Sequence, residues 1–287
     1  MAALQETFPI GGYMRGRGLK VLLYGALILY SLGTLYPLFL MVMSSFKSTT
    51  EIFDNPFSLP AAPSLDAYER AWSIGHLSDY FLNSVIVTMA SVAIILVVGS
   101  LAAYPIGRYD FKGRNVLYVY FLSGLMLPIK LGIVPIFFLM KTLGLYDTRL
   151  SLILIYAASG MPFTIFVLSG FFRTLPKDLE DAARIDGANE WHIYWRIMLP
   201  LIRPALATVA IFNFIPLWND FFFPLILIQT DELKTIPAGI VSFFGTYQTD
   251  WAMIFAGLTI GSVPLILLFL FASKHIIKGL TAGAVKG

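Results

Sequence analysis

Residues 173–203 read RTLPKDLEDAARIDGANEWHIYWRIMLPLIR, a polar stretch between two long apolar segments. A helix is predicted to begin near Asp178, because acidic residues there are typical of the first turn of a helix. Gly187 stands where a glycine commonly ends a helix. Asn189 is a good N-cap for a second helix that ends before Pro200. The stretch therefore predicts a helix, a glycine corner and a second helix.

The second predicted helix is aromatic on one flank, with Trp191, Tyr194 and Trp195 at helical spacing. One interpretation is an amphipathic hairpin that lies on lipid headgroups. The other is a docking element for a cytoplasmic protein. The residues by themselves favour neither interpretation.

The rest of the chain, outward from this stretch, is strongly apolar. It is 57% hydrophobic and 13% charged, whereas a soluble domain is about one quarter charged. About 20 apolar residues are needed for a helix that crosses a bilayer. Six segments meet this length, namely residues 20–43, 81–104, 116–140, 150–172, 205–229 and 251–273. Continuous blocks of this kind predict an all-α integral membrane protein with six transmembrane helices rather than a β-barrel.

The distribution of Lys and Arg predicts the orientation of these helices. Most basic residues fall in one alternate set of connections, whereas the opposite set holds only Lys47, Arg70, Lys141, Arg149 and Lys234. Because cytoplasmic loops carry the excess of basic residues, we expect the 173–203 loop and both termini to be cytoplasmic. The predicted organisation is an N-terminal tail (1–19), a transmembrane domain (20–273) and a C-terminal tail (274–287).

The cytoplasmic stretch resembles the EAA loop of ABC importer permeases. The matching residues are Glu180, Asp181, Ala182, Ala183, Gly187, Ile197, Leu199 and Pro200. Asp181 stands where many relatives carry Glu. In the fifth segment, Trp218-Asn219-Asp220-Phe221 resembles the carbohydrate-uptake branch, and the resemblance is closest to the second permease of importers for maltose and glycerol phosphate.

This resemblance implies a type I importer fold and a bacterial inner-membrane location. The loop between helices 4 and 5 would form a coupling helix that docks on an ATPase subunit. The ATPase-coupling residues implied are Glu180, Asp181, Ala182, Ala183, Gly187, Leu199 and Pro200. Expected partners are two ATPase subunits, which bind ATP and Mg, a second, non-identical permease and an extracytoplasmic binding protein. The substrate class implied is a sugar, oligosaccharide or polyol.

Several motifs are absent from the sequence. There is no G-x-x-x-x-G-K-[ST] phosphate loop, so the chain is not expected to hydrolyse ATP itself. No serine-hydrolase elbow occurs, cysteine is absent, and the three histidines (His76, His192 and His275) show no metal-ligand spacing. We therefore predict a transport subunit without a metal, a cofactor or a nucleic-acid partner. A secondary transporter, the alternative class, would show paired inverted repeats, and none is evident.

Two charges, Lys130 and Asp220, fall inside predicted spans, where ionisable groups are costly and usually functional. Both spans run outward from the cytoplasm, which predicts similar depths for the two residues. Asn213 and Asp220 are expected on one face of the fifth helix. The charges either form an ion pair or line the translocation path, with candidates Lys130, Asn213, Trp218, Asn219 and Asp220. A path-lining Lys130 raises the alternative of an anionic carbohydrate, such as a uronate oligomer or a sugar phosphate.

Overall fold

The structure is a computed structural model that describes residues 17–244 and 249–284, so the ends of both predicted tails lie outside the described residues. The regular secondary structure of these described residues is helical, without strands. The α-helices are α1 (Arg17–Ser44), α2 (Thr49–Asp54), α3 (Asp66–Ser73), α4 (Leu77–Arg108), α5 (Arg114–Met126), α6 (Ile133–Thr142), α7 (Arg149–Thr174), α8 (Asp178–Ile185), α9 (Glu190–His192), α10 (Leu199–Leu201), α11 (Arg203–Trp218), α12 (Phe222–Leu227), α13 (Ile236–Ile240) and α14 (Trp251–Ala284). Short 3₁₀ turns lie at Ile129–Gly132, Asp231–Leu233 and Val241–Phe243, and Ile193–Met198 forms a π turn.

Within the described ranges, α1, α4, α7 and α14 are each long and apolar enough to cross a membrane. Two further pairs of helices pass the same test together but are bent, which allows up to 6 spans by length and composition. This architecture confirms the predicted all-α membrane fold. It also shows that not every predicted span is one straight helix.

The third predicted span, 116–140, is broken. Helix α5 ends at Met126, Leu127 is extended with ψ 119°, and the segment that follows is bent by 85°. The cause lies in the next residue, because Pro128 disfavours the helical conformation for the residue before it. The prediction of a single helix here was wrong, and Lys130 lies in the 3₁₀ turn after the break.

The fifth predicted span, 205–229, is also interrupted. Helix α11 ends at Trp218 and α12 begins at Phe222, so Asp220 lies in the gap between them. The Asp220 carboxylate accepts the backbone N–H of Phe223 at 3.2 Å, a local bond that competes with continuation of the first helix. The expectation that Asn213 and Asp220 share one regular helix face was therefore wrong.

Helices α4 and α7 form the centre of the bundle. Their approach is close because glycines lie at the contact. A Cβ at Gly99 would come within 2.5 Å of Thr164, and one at Gly107 within 2.9 Å of Phe172. Helix α1 lies at the periphery against α14 and exposes its apolar side chains along most of its length. The charged loop at α8–α10 projects from the ends of the two central helices.

Candidate functional site

The loop at 173–203 has the predicted helix, corner and helix. Helix α8 is followed by Gly187 at φ 82°, a left-handed conformation that glycine adopts without penalty. Asn189 caps the next helix, its Oδ1 accepting the N–H of His192 at 2.8 Å. A Cβ placed on Gly187 would meet nothing within 4 Å. The corner therefore requires glycine for its backbone angle and not for lack of space.

Glu180 lies inside the protein rather than on the outer surface of α8. The Nε of Arg108 donates to its Oε2 at 2.9 Å, and the hydroxyl of Tyr104 donates to its Oε1 at 2.8 Å. The Glu180 carboxylate is therefore engaged in an ion pair within the chain, with the guanidinium of Arg108.

The residues that follow Glu180 in the chain form the outer surface of α8. Asp181 and Ala182 are exposed, and Ile185 is 86% exposed, whereas Ala183 packs into the core of the chain. Arg184 spans the corner and donates to Asp181 and to Glu190, at 2.9 Å in each case. Hydrogen bonds from Arg184 and from Tyr109 outweigh the effect of burial and lower the pKa of Glu190. Arg184 thus links the two helices of the corner.

Beside the corner, a cleft of about 380 Å³ opens on the surface. It is lined by Ala183, Asp186, Gly187, Ala188, Asn189, His192 and Ile197. An exposed isoleucine next to an open cleft is a surface on which a protein partner can dock.

The aromatic flank of the second helix is divided between the core and the surface. The Tyr194 hydroxyl is buried 2.7 Å from Oγ of Ser100, whereas Trp191 and Trp195 are exposed. Leu199 and Pro200 follow in the half-buried last turn, and the chain then bends by 74° before α11. The corner and the fifth span are therefore joined through a sharp bend.

The two charges within the membrane segments lie together. Lys130 Nζ is 3.0 Å from Asp220 Oδ1, and the Tyr156 hydroxyl donates to Asp220 Oδ2 at 2.9 Å. The Lys130 side chain is 58% exposed and that of Asp220 is 8% exposed. The structure thus places an ion pair where two interrupted spans meet, with the lysine side chain more than half exposed.

The other candidate path residues do not join this pair. Asn213 is buried between helices and donates to Thr164 Oγ1 at 3.3 Å. Trp218 is also buried and donates through Nε1 to the carbonyl of Gly261 at 2.9 Å. Asn219 is exposed. Trp218 and Asn219 border a separate cavity of about 310 Å³ that also contacts α13 and α14.

Sequence reasoning missed three residues that complete these sites. Arg108 is one of several basic residues that indicate the orientation, and nothing in the sequence marks it as the partner of Glu180. Tyr104 and Tyr156 were included in apolar segments, yet each donates to a buried carboxylate. A phenol in an apolar span is a weak signal for such a bond, because a buried Tyr hydroxyl usually finds a partner.

The chain matches the family model described as "Binding-protein-dependent transport system inner membrane component" over residues 95–281. Among curated relatives, it is 42% identical to the probable ABC transporter permease protein YurM of Bacillus subtilis, across 91% of this chain and 87% of that protein. It is 39% identical to the diacetylchitobiose uptake system permease protein NgcG of Streptomyces coelicolor, across 92% of this chain and 88% of that protein.

A solved structure agrees with the fold. A chain of a bacterial ABC transporter involved in the import of the acidic polysaccharide alginate superposes with a TM-score of 0.81, at 23% identity, across 90% of this chain and 96% of that chain. At this identity the likeness concerns the fold alone. The family match and the curated relatives together establish that the chain belongs to the family of binding-protein-dependent transport system inner membrane components.

Proposed function

We propose that this chain is a permease subunit of an ABC importer that moves a sugar, oligosaccharide or polyol into the cytoplasm by alternating access. ATP hydrolysis on separate subunits supplies the energy. The observation that carries the proposal is the corner at Gly187, where a short helix with an exposed Ile185 projects beside an open cleft. Such an exposed element suits a surface that docks on a partner protein.

The partners follow from this role. Two ATPase subunits bind the ATP and Mg, and each contacts one coupling corner. Because this chain supplies one corner, a second homologous permease supplies the other. A binding protein delivers substrate from outside, with both termini of this chain in the cytoplasm. A second solved structure, that of a bacterial alginate ABC transporter in complex with an alginate pentasaccharide-bound periplasmic protein, shares the fold at a TM-score of 0.65 and 18% identity.

A neutral carbohydrate is the substrate class that we favour. Relatives include permeases of uptake systems for diacetylchitobiose and for arabinooligosaccharides. Lys130 taken alone would suit an anionic substrate, but its charge is balanced by Asp220 at 3.0 Å. The pair presents a polar and nearly neutral surface, and hydrogen bonds to sugar hydroxyls need no net charge. We assign Lys130, Asn219 and Asp220 to the translocation path, with Asn213 and Trp218 supporting it through helix packing.

The test is transport by the intact complex. The complex is purified from host membranes through an affinity tag on this chain and reconstituted in liposomes with its binding protein. We expect uptake of labelled neutral oligosaccharides that requires both ATP and the binding protein. Uronate oligomers of equal length serve as the comparison for charge. Uptake that is driven by an ion gradient without ATP would refute the proposal.

A further inference from the structure

Arg108, the last residue of α4, has a buried guanidinium that joins three helices. Its side chain is 2% exposed, and that of its partner Glu180 on α8 is 6% exposed. The same guanidinium donates to the carbonyl oxygens of Phe172 at 3.1 Å and Leu175 at 2.7 Å, at the end of α7. One side chain thus fastens the coupling corner to both central helices of the bundle.

The connection continues to the second helix of the corner. Tyr109 donates to Glu190 at 2.5 Å, and its hydroxyl lies 3.3 Å from that of Tyr104, which bonds Glu180. Arg184, on the first helix of the corner, also donates to Glu190 on the second. Both helices of the corner are therefore linked to the end of α4 by charged and phenolic groups.

The corner is connected to the fifth span, which begins with α11, in a different way. Between the corner and α11 the chain passes the π turn Ile193–Met198 and then a bend of 74°. A sharp bend can absorb a displacement by changing its angle. By contrast, charge-assisted bonds from a planar guanidinium fix distance and direction. The corner is thus connected to α4 by direct charge-assisted bonds, whereas its connection to α11 runs through this bend and through apolar packing.

We propose that Arg108 is the positioning residue through which movement of the coupling corner drives α4 and α7. The corner and the cytoplasmic ends of these two helices then move as one body when ATP binds. This inference rests on the proposed function, since it needs an ATPase that pushes on the corner. It differs from a purely structural role, in which the Arg108–Glu180 pair would hold the fold together and could be replaced by any stable packing.

The first experiment measures whether the parts move together. The chain has no cysteine, so spin labels can be placed cleanly at Lys112→Cys and Asp178→Cys, two exposed positions on either side of the ion pair. We expect the distance between the labels to stay the same in the nucleotide-free and ATP-bound complexes. A distance that changes between the two states would overturn the proposal.

The second experiment separates coupling from stability. Arg108→Met alone leaves Glu180 buried without its cation, and this variant could fail to fold. The double variant Arg108→Met/Glu180→Gln removes both charges and keeps an acceptor for Tyr104. We expect it to assemble and to retain basal ATP hydrolysis, while hydrolysis stimulated by the loaded binding protein falls about tenfold, a typical size for an energetic coupling between sites.

The control is Arg114→Met, which removes a nearby cation whose ion pair with Asp110 is exposed. It should leave stimulated hydrolysis unchanged. Normal stimulation in the double variant would overturn the proposal and leave Arg108 with a structural role only. If the wild-type complex shows no stimulation at all, the proposed function itself fails, whereas the label distance still reports whether the corner and α4 form one body.

Discussion

Lys130 and Asp220 lie 3.0 Å apart, Nζ to Oδ1, and each occupies the break of its own membrane span. Helix breaks within a membrane are tolerated where protein or a wet cavity satisfies the freed backbone groups. Asp220 does so directly by accepting the N–H of Phe223 at the start of α12. The ion pair therefore holds the two interrupted spans together at their weakest points.

The first prediction concerns this pair. Lys130→Met should destabilise the assembled complex by more than the ~1 kcal/mol of an exposed ion pair and less than the ~3–5 kcal/mol of a fully buried one. Adding Asp220→Asn should recover much of the loss, because no lone charge remains. Thermal unfolding of the complex in detergent measures both effects.

Lys141→Met is the control, since Lys141 packs on the Phe137 ring at 4.7 Å. If Lys130→Met lowers transport without lowering stability, and Asp220→Asn rescues nothing, the lysine serves an anionic substrate instead.

The second prediction concerns the corner at Gly187. Valine at φ 82° suffers backbone strain of about 1–2 kcal/mol, so Gly187→Val should impair transport and stimulated ATP hydrolysis while membrane insertion stays intact. Gly113 is a matched control, because it also has a positive φ, of 94°, and open space within 4 Å of the position that a Cβ would take, but lies outside the corner. Gly113→Val should carry a similar strain and keep coupling. Normal transport by the Gly187 variant would contradict the role of the corner.

The third prediction concerns docking. Ile185 is 86% exposed at the end of α8, and an exposed apolar side chain at the centre of an interface can contribute about 2 kcal/mol or more to binding. We therefore expect Ile185→Asp to reduce co-purification of the ATPase subunits by at least about tenfold. Thr174→Asp places the same charge on an exposed position at the end of α7 and should leave the yield unchanged. Equal yields for both variants would place the ATPase contact elsewhere.

The fourth prediction concerns the loop between α6 and α7. Asp147 accepts the N–H groups of Gln229 at 2.8 Å and Thr230 at 3.0 Å. Burial raises the pKa of Asp147, but these bonds and one from the Thr230 hydroxyl outweigh it, so the pKa lies below its ordinary value of 3.8. A lowered pKa in the folded state stabilises the protein above pH ~4, and the contribution is lost as the pH falls through the folded value.

The measurement is the melting temperature of wild type and Asp147→Asn across a pH series. Asparagine also tolerates the left-handed backbone of this position, φ 60°, so the comparison isolates the charge. We expect the wild type to be more stable near neutral pH by less than ~1 kcal/mol, because the carboxylate lies near the surface and solvent screens its charge. The difference should shrink below pH ~4. A difference that is independent of pH would show that the carboxylate charge contributes nothing.

Much of the fold could be read from the order of residue types along the chain. Apolar blocks of membrane length predicted an all-α bundle, because a backbone in hydrocarbon must satisfy its own hydrogen bonds. The corner was equally readable, since a cap at Asn189 and a glycine at 187 act through neighbours a few residues away. Even the shared depth of Lys130 and Asp220 followed from their positions along two parallel spans.

The tertiary structure alone decided which groups meet. Arg108 and Glu180 are separated by 72 residues along the chain, and no local pattern states that one buried carboxylate will take its cation from the end of another helix. The ion pair beside the breaks at Leu127 and Asp220 likewise forms only because the two spans pack side by side. Local propensities act over one or two turns of helix, whereas the pairing of buried charges depends on the packing of whole helices, which brings distant residues into one place.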